Sequence, residues 1–120
     1  MAKILVVDDE AGIREMLHDA LSIAGFEVQI ALDGFDALKV LREEPADLII
    51  ADINMPRLDG FGLIERLRQG ARHADRPILV LTTESSDEKK RRARDAGATG
   101  WIVKPFDAEK LATAVRRVAH

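Results

Sequence analysis

Cysteine is missing from the 120 residues, which excludes disulfides, thiolate metal sites and a thiol nucleophile. Stability must come from packing and from bound ligands. Long apolar runs are missing too. The N-terminal one spans only Ile4 to Val7 before Asp8, Asp9 and Glu10, whereas a secretory signal needs about 7–15 apolar residues and a membrane span roughly 18. The chain is expected to be cytoplasmic, without membrane insertion. Charge of one sign is scarce: 18 basic against 21 acidic side chains leave a formal charge of −3, without the basic excess of nucleic-acid binders. No linker, low-complexity tract or internal repeat interrupts the chain, so residues 1–120 are expected to form one domain.

What is present is an alternation of short apolar runs with longer stretches of helical periodicity, the pattern of a βα repeat and a mostly parallel sheet. Five pairs can be counted, with strands expected at Lys3–Val7, Glu27–Ala31, Asp47–Ala51, Ile78–Thr82 and Gly100–Val103. Four are continuous Val/Ile/Leu-type runs, as expected of strands covered on both faces. In the second, Glu27 and Gln29 alternate with Val28 and Ile30, so one face meets water and the strand belongs at an edge.

The first helix should bury Ile13, Met16, Leu17, Ala20, Leu21 and Ala24 along one stripe and stop at Gly25. Asp33 and Asp59 are suited to cap the second and third helices. Ser85, with Glu88 three residues on, reads as a capping box opening the fourth, which ends near Gly97. The fifth follows Asp107 and buries Leu111, Val115 and Val118. The reading is a (βα)5 α/β fold with helices on both faces of a parallel sheet.

Ligands of such open sheets bind beyond the carboxyl ends of the strands. Asp8 and Asp9 close the first strand, Asp52 the third and Thr82 the fourth, and Lys104 follows the fifth. One of the first two acids could cap a helix, and Asp52 taken alone is an ordinary loop acid. Their convergence argues otherwise. Two carboxylates about 4 Å apart repel by roughly 4 kcal/mol at an effective dielectric near 20, so a rim of three acids wants a cation. Mg²⁺ suits hard oxygen donors. Lys104 can pair with an anion as a point charge, and a cis Lys104–Pro105 bond would fix its direction. The Thr82 hydroxyl can bond a phosphoryl oxygen. These are the parts for forming an aspartyl phosphate. A Gly-rich phosphate loop is absent.

Val7-Asp8-Asp9-Glu10, Asp52-Ile53-Asn54-Met55-Pro56 with Asp59-Gly60, Leu81-Thr82-Thr83 and Val103-Lys104-Pro105-Phe106 together resemble the signature blocks of response-regulator receiver domains, and the resemblance covers the whole chain. It implies a flavodoxin-like doubly wound sheet of order 2-1-3-4-5 and a two-component switch phosphorylated on Asp52 by a sensor histidine kinase. Such a switch is not an enzyme, beyond catalysing its own phosphorylation and dephosphorylation. It further implies that Asp9, Asp52 and the Asn54 backbone carbonyl hold Mg²⁺, with Asp8 acting through metal-bound water. Thr82 and Lys104 would contact the phosphoryl group. Trp101 takes the position of the aromatic that turns inward with Thr82, and Asn54 and Glu84 stand where family members tune dephosphorylation.

Nothing but Ala119 and His120 follows the fifth helix, so no output domain is expected. Thr82–Ser85 and Ala96–Val103 look especially like chemotaxis regulators, which implies a flagellar-motor switch protein met through the helix 4, strand 5, helix 5 face. A phosphorelay intermediate or kinase regulator keeps the same chemistry. A phosphatase of the haloacid dehalogenase type would need an acid where Asn54 stands. A degenerate receiver is opposed by the filled chemical positions. The basic run Lys89, Lys90, Arg91, Arg92 and Arg94 reads first as solvated helix surface and otherwise as a face for an acidic partner. His18, His73 and His120 are scattered and are assigned no role.

Overall fold

The computed structural model describes residues 2–55, 57–70, 73–83 and 87–118. Strands β1 (Lys3–Val7), β2 (Glu27–Ala31), β3 (Leu48–Asp52), β4 (Ile78–Thr82) and β5 (Gly100–Val103) alternate with helices α1 (Ala11–Ile23), α2 (Gly34–Glu43), α3 (Gly60–Gln69), α4 (Asp87–Ala96) and α5 (Ala108–Val118). All the strand pairs are parallel, in the order β2-β1-β3-β4-β5. The strand with alternating polar residues is at an edge, as expected.

Alternation along the strands divides the core in two. Leu5, Val7, Ile49, Ala51, Ile78 and Val80 point to one face, where α2, α3 and α4 cover them with Ala37, Leu41, Leu63, Ile64, Leu67 and Ala93. Ile4, Val6, Leu48, Ile50, Leu79 and Leu81 point to the other, under Leu17 and Leu21 of α1 and Leu111 and Val115 of α5. The continuous apolar runs are thus two interleaved half-patterns, one for each layer.

Three expectations are adjusted. The fifth strand, read as covered on both faces, is the other edge of the sheet, where Ile102 is buried but Val103 is exposed and Trp101 half-buried. The third strand runs one residue later than Asp47–Ala51. Asp47 turns its carboxylate back to the Lys3 amide (2.9 Å), while Asp52 stays in the ladder opposite Leu81. On α1 only Leu17 and Leu21 are fully covered, and Met16 remains 42% exposed. The helix lies between β2 and α5, so only the middle of its apolar stripe is enclosed. The proposed cap Ser85 lies outside the described residues.

Helix ends follow local chemistry. Gly25 and Gly97, past the ends of α1 and α4, adopt φ of 98° and 115°, a region glycine enters without steric cost. Arg68, near the end of α3, donates to the carbonyls of Gly97 (2.7 Å) and Arg76 (2.6 Å), joining the α3–β4 connection to the end of α4. Burial pulls its guanidinium below the usual range. His73, given no role from sequence, is a buried ring whose Nε2 accepts from the Ala46 amide (3.4 Å).

Asp33 and Asp59 cap α2 and α3 as expected, accepting from Asp36 N and Gly62 N at 2.8 Å each. Asp33 also pairs with Arg57. The Asp36 amide and the Arg57 guanidinium hold its carboxyl below the usual value. A depressed acid stabilises the fold above its unfolded pKa and loses that contribution as pH falls through its folded value. Asp33→Ala is therefore expected to cost about 1–2 kcal/mol at pH 7. In urea unfolding, the gap to the wild type should narrow towards pH 3; a gap independent of pH would remove the charged pair from the account.

Candidate functional site

The carboxyl ends of β1, β3, β4 and β5 bring the sequence-predicted residues together. Asp8 follows β1 with no exposed surface, Asp52 ends β3 at 4% exposure and Thr82 ends β4 at 4%. Asp9 is exposed. Oxygen atoms of Asp8, Asp9 and Asp52 lie within 4.8 Å of one another. Lys104 Nζ stands 3.3 Å from Asp8 Oδ2 and 3.4 Å from Asp52 Oδ1, from a residue 96 positions beyond Asp8.

Backbone bonds fix the rim. Asp8 N donates to Ala31 O (3.3 Å), Ile53 N to Leu81 O (3.1 Å) and Lys104 N to Thr82 O (2.7 Å). Lys104–Pro105 is cis, as the sequence reading proposed. Neither Asp8 nor Asp9 caps α1, whose N-cap is Glu10 without a side-chain cap bond. Asp8 Oδ1 instead accepts from the Glu10 amide (2.9 Å), and its carbonyl accepts from Arg14 Nη1 (2.7 Å). Asp52 Oδ1 accepts from the Asn54 amide at 3.4 Å; the Asn54 side chain is exposed. Glu84 lies outside the described residues.

Electrostatics set these groups against one another. Burial pushes the Asp52 carboxyl above its usual value and the Asp8 charge pushes it further, against the pull of Lys104. Burial alone would lower the Lys104 ammonium, but Asp52 and Asp8 outweigh it and hold it above its ordinary value. With all three acids ionised, three carboxylates face one ammonium. The two negative charges left over, on hard oxygen donors, suit one divalent cation of the Mg²⁺ type.

Two contributors were not legible in sequence. Gly60 approaches the rim so closely that an added Cβ would lie 2.5 Å from Asp52 O and 2.8 Å from Ile53 Cα; Asp59-Gly60 marked a helix start, not this contact. Arg57 adopts φ 68° and ties the loop after Asp52 to Asp33 at the head of α2.

Trp101 is half-buried, pairs with Val80 in the sheet and packs on the α2–α3–α4 side. Thr82 is two residues beyond Val80 and so faces the same side. The ring lies diagonal to the rim, with Lys90 Nζ at 5.1 Å and Arg94 Cζ at 5.9 Å from its centre.

The family described as response regulator receiver domain matches residues 4–116. The chemotaxis response regulator CheY4 of Vibrio cholerae superposes with a TM-score of 0.95 at 46% identity over 98% of both chains. A response regulator of Burkholderia multivorans does so at 0.81 and 48%, over 100% of this chain and 97% of the other. Among curated relatives, a probable transcriptional regulator ycf27 of Porphyridium aerugineum is 41% identical over 97% of this chain and 47% of its own length. The DNA-binding regulator RpaA of Synechocystis is 37% identical over 97% and 48%. The chain spans about half the length of these curated relatives.

Proposed function

The chain belongs to the response regulator receiver domain family of two-component systems, and on that premise we propose that it is a switch phosphorylated on Asp52 by a sensor histidine kinase. The observation that carries this reading is the Lys104 ammonium set between two buried carboxylates, Asp8 and Asp52. In the proposed transfer, an Asp52 carboxylate oxygen attacks the phosphorus of a phosphohistidine, and the O–P bond forms as the P–N bond breaks. Asp9, Asp52 and the Asn54 carbonyl would hold Mg²⁺, with Asp8 behind a bound water; the ion supplies charge neutralisation for the transferring group. Lys104 and the Thr82 hydroxyl take the phosphoryl oxygens. Thr82 then draws Trp101 inward, while Asn54 and Glu84 set how quickly water removes the phosphoryl group.

We assign the output to chemotaxis, through a flagellar-motor switch protein meeting the face of α4, β5 and α5. Likeness to the Vibrio cholerae chemotaxis regulator over 98% of both chains supports this. The curated transcriptional regulators favour a second reading, in which the same switch governs a DNA-binding segment. Binding to a purified motor switch protein, with and without phosphorylation, tests the first: phosphorylation-dependent affinity supports chemotaxis, and its absence removes that assignment.

The chemistry is tested by intact mass after incubation with acetyl phosphate. One phosphoryl group is expected with Mg²⁺ and none in EDTA. Equal uptake in EDTA would remove the metal from the mechanism, and no uptake by folded protein, with the adduct trapped against hydrolysis, would defeat the phosphoacceptor reading.

A further inference from the structure

Helix α4 has few apolar means of staying on the fold. Ala93 is its one buried residue, and Arg68 holds only the carbonyl of Gly97 just past its end. Its basic residues have a use beyond solvation. Arg92 Cζ stands 4.3 Å and Lys89 Nζ 5.9 Å from the Phe61 ring centre. Lys90 and Arg94 stand 5.1 and 5.9 Å from that of Trp101. Each pair lies within the range of cation–π attraction, for which tryptophan is the best acceptor.

The two rings differ in freedom. Phe61 is 2% exposed on α3 and is locked in the core. Trp101 is half-buried at the sheet margin, diagonal to Thr82. One clamp is therefore fixed and the other sits on a ring with room to turn. Among the described residues neither Lys90 nor Arg94 has an ion-pair partner, so the contact with the indole, and not burial, distinguishes Arg94 from the equally exposed Arg91.

We propose that Lys90 and Arg94 form a latch on Trp101 that holds the unphosphorylated state. This inference rests on the switch reading above and adds its regulation. Inward rotation of the indole must break both contacts, so the latch raises the free energy of the active state relative to the resting one. An activating ligand then binds more weakly, by the factor the latch takes from the competent population.

The test is a titration with beryllofluoride and Mg²⁺, an analogue of the acyl phosphate, followed by ¹⁹F NMR of the protein carrying 5-fluorotryptophan at its single tryptophan. The double variant Lys90→Gln/Arg94→Gln should reach half-saturation at a concentration lower by about tenfold. Arg91→Gln, which removes a charge from the same helix but no ring contact, should not tighten binding. With Mg²⁺ held at saturation, loss of positive charge by itself weakens anion binding, so tightening is a signature a bulk charge effect does not produce. A half-saturation unchanged in the double variant, or lowered equally by Arg91→Gln, overturns the latch. A wild type that gains phosphoryl mass but keeps an unmoved ¹⁹F resonance also overturns it. A wild type with neither mass gain nor resonance shift defeats the phosphoacceptor reading and the latch with it.

Discussion

Asp52→Asn is expected to lower phosphoryl uptake from acetyl phosphate by roughly a thousandfold or more, because in the proposed transfer the nucleophile is an Asp52 carboxylate oxygen and an amide offers no such anionic oxygen. Asp8 does not replace it, being wholly buried and already accepting from Glu10 N and Lys104 Nζ. The loss should come without damage to the fold. Asp52 is buried beside the like charge of Asp8, and both effects push its carboxyl upward. The near-isosteric amide removes the desolvated charge and the repulsion, while Lys104 keeps Asp8 as its partner. In EDTA the variant should therefore unfold at a urea concentration equal to or above that of the wild type. Intact mass and urea unfolding on one preparation check both halves. Full uptake by the variant would put the phosphoryl group elsewhere, and a much less stable variant would show that Asp52 is chiefly a structural partner of Lys104.

Gly60→Ala should have the largest effect on stability. Its Cβ would fall 2.5 Å from Asp52 O and 2.8 Å from Ile53 Cα. Both are backbone atoms of the β3 end, where Gly60 N also donates to Ile53 O (2.9 Å). No flexible side chain is available to give way, so α3 or the strand must shift. A cost of roughly 3 kcal/mol is expected for such overpacking, seen as a drop of about 10 °C or more in the melting temperature. The displaced Asp52 should also slow phosphoryl uptake in protein that remains folded. Gly12→Ala is the matched comparison, because its Cβ meets nothing within 4 Å on the exposed side of α1 and should stabilise the helix by about 0.5–1 kcal/mol. A Gly60→Ala protein as stable as the wild type would show that the β3–α3 junction yields readily.

Much of the molecule was legible before the structure because its signals are local. Apolar runs of strand length, the helical stripes around Leu17 and Leu111, the caps Asp33 and Asp59 and the stops Gly25 and Gly97 act within a few residues, so composition and spacing reveal them. The alternation of Glu27 and Gln29 with Val28 and Ile30 even located one of the two edge strands, whereas the apolar run of β5 concealed the other. Local signals also have limits. Met16 belongs to the stripe by spacing yet lies 42% exposed, because it lines an open groove with Ile13, Lys104, Pro105 and Phe106 that spacing along one helix does not reveal. The third strand moved by one residue because Asp47 is bound by Lys3, far away in sequence.

The sequence by itself determined the (βα)5 order, the two-layer cover and the acids, hydroxyl and lysine at the strand ends, since these follow from periodicity and chain order. Only the tertiary structure decided which of these groups meet. It placed Lys104 between Asp8 and Asp52, pressed Gly60 against Asp52 and set Lys90 and Arg94 over Trp101. The physical reason is range. Backbone preference and amphipathic spacing operate over a turn or a strand, whereas ion pairing, close packing and cation–π attraction require residues up to 96 positions apart to be brought within a few ångströms by strand order and register.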